Sequence, residues 1–129
     1  MKVLIVEDNP MNMKLVTALL GTRSHVEVIE ACDAETGISL AREHQPPLIL
    51  MDIHMPGMDG LTATRLLKAD EKTRHIKIVA ITALAMKGDE QRMLEAGCDH
   101  YISKPLRYQE LLQIVDKYLP AGDPAEEAT

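Results

Sequence analysis

The sequence contains no Trp and no Phe, and its aromatic side chains are Tyr101, Tyr108 and Tyr118. That is too little for a base-stacking platform or a flavin sandwich. Cationic excess is missing too: 14 Lys and Arg against 20 Asp and Glu give a formal net charge of −6. A sequence-independent grip on nucleic acid needs clustered Lys and Arg to displace counterions, so nucleic acid is not the expected partner. No apolar run approaches membrane-spanning length, and the first one turns acidic at Glu7-Asp8 before a signal peptide could form. The expectation is a cytoplasmic chain with no membrane insertion. Cys32 and Cys98 fall in no CxxC or His/Cys ligand spacing and are expected to be reduced, buried thiols. Neither a P-loop nor a GxGxxG pattern follows a strand, which argues against a nucleotide held by a glycine-rich cradle.

What is present suits one domain. At 129 residues, 46% hydrophobic and 26% charged, the chain can bury a core without disulfides or a structural metal. Short β-branched or apolar runs alternate with helical patterns. Lys2–Glu7 reads as a strand, and Asp8-Asn9-Pro10 supplies a capping residue and a Pro for the first helical position. In the helix that follows, Met11, Leu15, Ala18 and Leu19 share one face and are expected to be buried. Val26–Ala31, Leu48–Met51, Ile76–Ile81 and Tyr101–Ser103 are the further strands. Helices are expected from Asp33 to His44, Leu61 to Ala69, Met86 to Ala96 and Gln109 to Leu119. The Met86–Ala96 helix is the most weakly anchored, with little beyond Met86, Met93 and Leu94 to bury. Five strands alternating with five helices require a parallel sheet covered on both faces, because parallel strands need crossovers. Residues 120–129 are Pro/Gly-punctuated and acidic and are expected to form a disordered tail.

In open α/β sheets the functional crevice lies beyond the carboxyl ends of the strands. The residues ending the apolar runs are Glu7-Asp8, Asp52, Thr82 and Ser103-Lys104-Pro105. Three carboxylates at one edge repel one another unless a cation is shared among them, and oxygen-only ligands favour Mg²⁺. Thr82 can donate a hydrogen bond to a phosphoryl oxygen and Lys104 can neutralise its charge. Asp52 is then the candidate nucleophile, because a carboxylate can accept a phosphoryl group. The acid at position 8 competes with Asn9 for the role of helix cap. Met11, Met55 and Met58 flank the same edge, either as local packing or as partner contacts.

These residues resemble a known family. Val3–Asn9, Leu48–Gly60 with its Asp52-Ile-His54-Met-Pro56-Gly, Ile81-Thr82-Ala83 and Tyr101–Pro105 together resemble the receiver domain of bacterial two-component response regulators. The stretch Thr82–Glu90 followed by Ala96-Gly97-Cys98 is similar to that of single-domain regulators of the DivK type, and also to receivers attached to hybrid kinases. The resemblance covers about residues 2–119 and implies a flavodoxin-like fold with strand order 2-1-3-4-5. It implies phosphoryl transfer from a kinase phosphohistidine to Asp52. Mg²⁺ would be held by Asp8, Asp52 and the backbone carbonyl of His54, and through water by Glu7. Thr82 and Lys104 would contact the phosphoryl group, with Lys104–Pro105 as a cis peptide. Thr82 and Tyr101 would form a switch that re-poses the surface of the fourth helix, fifth strand and fifth helix.

Sensor or hybrid histidine kinases and histidine phosphotransfer proteins are the implied partners, the protein itself being a monomer or a weak phosphorylation-dependent dimer. The residues after Leu119 leave no room for an effector domain, so a free-standing regulator acting by contact is the first expectation. A receiver excised from a hybrid kinase, or a phosphate-sink relay intermediate, is the second. A haloacid-dehalogenase-type phosphatase would also pair an Asp nucleophile with Thr and Lys, but it wants Asp-x-Asp, and here the second position is His54. The expected chain is a signalling phosphoacceptor with no activity beyond its own phosphorylation and dephosphorylation.

Overall fold

A computed structural model describes residues 1–83, 89–104 and 106–120. Five strands, β1 (Lys2–Val6), β2 (Glu27–Ala31), β3 (Leu48–Asp52), β4 (Lys77–Thr82) and β5 (His100–Ser103), alternate with five helices. These are α1 (Pro10–Leu20), α2 (Ala34–His44), α3 (Gly60–Ala69), α4 (Asp89–Ala96) and α5 (Tyr108–Tyr118). All strand pairs are parallel and their order is β2-β1-β3-β4-β5, as the resemblance implies.

The three central strands are almost continuously apolar because both faces are covered. Their side chains still alternate. Val3, Ile5, Leu48, Leu50, Val79 and Ile81 pack with α1 and α5, whereas Leu4, Val6, Ile49, Met51, Ile78 and Ala80 pack with α2, α3 and α4. β2 lies at a sheet edge, and only Ala31 in it is fully buried.

Three expectations need correction. On α1 the buried residues are Met13, Val16 and Leu20, while Met11 is 75% and Leu15 47% exposed. The helix carries apolar residues on more than one face, so periodicity alone did not determine which face meets the sheet. Cys98 is buried as expected, but Cys32, just beyond the edge strand β2, is exposed. On α4, Met93 is buried and Leu94 is exposed; residues 86–88 of the expected helix lie outside the described residues. So do Pro105, with its expected cis bond, and residues 121–129 of the acidic tail.

The strands extend one residue further at two places that matter. Asp52 is still paired, with Ile81, and Thr82 with Ser103. The backbone of both residues is therefore held by the sheet ladder rather than by a loop.

Candidate functional site

The strand register brings the candidate residues to one edge. Val6 pairs with Met51, so the next residues, Glu7 and Asp52, emerge side by side. Thr82 closes β4, and the Lys104 N–H donates to its carbonyl at 2.7 Å. The acid set is as tight as its sequence positions suggest: oxygen atoms of Glu7, Asp8 and Asp52 all lie within 4.8 Å of one another. Glu7 and Asp52 are buried and Asp8 is exposed, so the cluster opens to solvent on one side.

Local structure explains how Asp8 is left available. The cap of α1 is Asn9, whose Oδ1 accepts from the N–H groups of Met11 at 2.9 Å and Asn12 at 3.4 Å, and Pro10 starts the helix without a donor to satisfy. Asn9 also donates its own N–H to Glu7 Oε2 at 3.4 Å. Nothing in the spacing of the chain marks Asn12, yet its side chain favours the ionised form of Glu7 and partly offsets the repulsion there. Gly60 is a second residue whose part emerges only in three dimensions. A Cβ at that position would lie 2.2 Å from the Asp52 carbonyl oxygen, so the start of α3 can approach the acid only without a side chain.

Lys104 supplies the cation. Its Nζ is 3.4 Å from Asp52 Oδ2 and 3.5 Å from Glu7 Oε1. One ammonium against three carboxylates leaves the cluster short of positive charge. Burial first, then the hydrogen bond and repulsion from Asp52, raise the Glu7 pKa above its ordinary 4.5, and Lys104 and Asn12 offset this only in part. The donors are all oxygens and the negative charge is only partly compensated, which fits a hard divalent cation such as Mg²⁺.

His54 donates its N–H to Asp52 Oδ1 at 3.1 Å. Its imidazole reaches the end of β4, with Nε2 at 3.3 Å from Thr82 Oγ1. Tyr101 stands apart from this group, half-buried on β5 against the core under α2–α4 and stacked on His100 at 6.2 Å between ring centroids. Of the three flanking methionines, Met55 is buried, Met58 packs on the core and Met11 faces solvent.

The model of the response regulator receiver domain matches residues 3–116. The chain belongs to the response regulator receiver family. Among curated relatives, the polar-differentiation response regulator DivK of Brucella ovis is 47% identical over 117 residues, covering 91% of this chain and 94% of the relative. That of Brucella anthropi is 46% identical over the same coverage. A solved receiver domain of the sensor histidine kinase PA1611 from Pseudomonas aeruginosa holds a magnesium ion in its active site cleft. It is 34% identical, has a TM-score of 0.84 and covers 93% of this chain and 98% of its own. The receiver domain of the Saccharomyces cerevisiae response regulator Ssk1, solved with the phosphotransfer protein Ypd1, is 26% identical with a TM-score of 0.85. It covers 92% of this chain and 88% of its own. The protein is thus a receiver of a two-component system. None of the helices among its described residues is long and apolar enough to cross a membrane.

Proposed function

We propose that Asp52 is the phosphoacceptor of this receiver and takes its phosphoryl group from the phosphohistidine of a sensor or hybrid histidine kinase. The observation that carries the reading is the meeting of Glu7, Asp8 and Asp52 within 4.8 Å, with Lys104 Nζ reaching both buried acids. An Asp52 oxygen forms the new P–O bond as the P–N bond of the phosphohistidine breaks, and the imidazole leaves with the electron pair. Lys104 offsets charge on the phosphoryl oxygens, and the Thr82 hydroxyl donates to one of them. Glu7, Asp8, Asp52 and the backbone carbonyl of His54 would hold Mg²⁺, Glu7 through water. Bound Mg²⁺ would neutralise charge on the acids and the incoming phosphoryl group. The magnesium in the Pseudomonas receiver supports this assignment.

The output of residues 1–119 is protein contact, with residues 120–129 as an acidic tail, in a cytoplasmic monomer or weak phosphorylation-dependent dimer. Thr82 and Tyr101 form the switch that re-poses α4, β5 and α5. Exposed Met11 and Leu15 on α1, beside the acid cluster, give a phosphotransfer or kinase partner an apolar foothold. The yeast complex of a phosphotransfer protein with a receiver supports such a partner, and the polar-differentiation role of the DivK relatives supports developmental control.

Incubation with Mg²⁺ and acetyl phosphate tests the chemistry. Intact mass should report one added phosphoryl group, lost on omission of Mg²⁺ and absent from Asp52→Asn. Equal labelling of Asp52→Asn would overturn the assignment.

A further inference from the structure

We propose that the His54 imidazole is a latch that holds Thr82 in the unphosphorylated arrangement. This rests on the receiver reading and adds a positioning residue to it. His54 Nε2 lies 3.3 Å from Thr82 Oγ1. The backbone is held at both ends of the contact: Thr82 is 1% exposed and paired to Ser103, and the His54 N–H is bonded to Asp52 Oδ1, while the His54 side chain itself stands at the surface. The imidazole therefore bridges the loop after β3 to the end of β4. It does so at the wall of a cavity of about 360 Å³ that Met55, Leu61 and Met93 also line, beneath α4.

A hydroxyl both donates and accepts, so the contact persists whichever ring nitrogen carries the proton. In the latch, Thr82 gives up this contact with His54 in order to donate to a phosphoryl oxygen on Asp52. Phosphorylation exchanges a hydrogen bond to an imidazole for one to an anionic oxygen, which is the stronger of the two. The exchange goes forward, but from a resting state that His54 has stabilised. A ligand of the phosphorylated arrangement then binds more weakly than it would without the latch, by the equilibrium constant the latch contributes.

Beryllofluoride, a phosphoryl mimic, is the probe, titrated at saturating Mg²⁺ into four full-length proteins: wild type, His54→Ala, Thr82→Val and the double variant. His54→Ala should bind it roughly twofold to tenfold more tightly than wild type, the range of one net hydrogen bond. That gain should vanish in the Thr82→Val background, which a general loosening of the loop would not bring about. His54→Gln, which keeps a group able to bond the hydroxyl, should bind as wild type does. The latch is overturned if His54→Ala binds no more tightly than wild type, if its gain survives in Thr82→Val, or if His54→Gln behaves as His54→Ala. A wild type that takes up no beryllofluoride would overturn the receiver reading itself, a separate result.

Discussion

The two edges of the sheet treat charge in opposite ways. At the amino edge, the Asp99 carboxylate is matched. It accepts from the Ile78 N–H at 2.9 Å and from Lys68 Nζ at 3.0 Å, with Lys77 Nζ at 3.8 Å. Lys68 Nζ also donates to the carbonyls of Ile76 at 2.6 Å and Arg74 at 3.2 Å. These bonds tie the end of α3 to the turns entering β4 and β5. At the carboxyl edge three carboxylates cluster, Lys104 reaches two of them at 3.4 and 3.5 Å, and one of those has its pKa pushed up. The same sheet thus holds a set of charges that stabilises the fold and a set that costs stability until something else arrives. The proposed phosphoacceptor site lies where electrostatic compensation is incomplete.

Gly60→Ala is expected to have the largest effect, because the added methyl group must displace the backbone of Asp52 itself. The cost should be roughly 1–3 kcal/mol, as for overpacking elsewhere, read from the urea midpoint. Phosphoryl uptake from acetyl phosphate should fall in parallel. A variant as stable and as readily labelled as wild type would show that the carboxyl edge is looser than its geometry indicates.

Asp99→Ala should come next, lowering stability by about 1–2 kcal/mol through the loss of bonds to a backbone N–H and to Lys68. Mg²⁺-dependent labelling should be unchanged once the variant is folded. Loss of labelling in a stable Asp99→Ala would break the separation between the two edges.

The smallest effect has the opposite sign. The raised Glu7 pKa means the folded, metal-free protein retains a proton that the unfolded chain has released. That contribution is fully present below pH 4.5 and is lost as pH rises through the raised value. Glu7→Gln carries no such charge, so without metal its melting temperature should rise relative to wild type as pH increases across that window. With Mg²⁺ the order should reverse, because cation binding needs the ionised carboxylate. A Glu7→Gln variant that is less stable than wild type at neutral pH without metal would contradict the picture of a strained acid.

How much of this was legible in the chain follows from which signals are local. The fold was, because each apolar run declares itself within a few residues and so does a cap such as Asp33, which accepts from the N–H of Thr36, three residues on; Asp59, which reads as part of a loop, caps α3 in the same way through Thr62. The strand-end residues were legible too, since parallel strands in register carry their terminal residues to one edge. Less local features were not. The face α1 turns to the sheet depends on where β1 and β3 lie, so Val16 and Leu20 are buried and Leu15 is not. The exposure of Cys32 follows from the edge position of β2. Asn12 beside Glu7, Gly60 against Asp52 and His54 on Thr82 are contacts between residues whose spacing carries no motif.

The unmatched charge at the carboxyl edge is tested most directly by the melting temperature as a function of Mg²⁺ concentration at neutral pH, in wild type and in Asp8→Asn. The wild type should climb steadily once Mg²⁺ exceeds its Kd, by an amount equivalent to about 2.7 kcal/mol at a hundredfold excess. Asp8→Asn should need far more Mg²⁺ for the same rise. A flat wild-type curve, or equal rises in both proteins, would contradict the account.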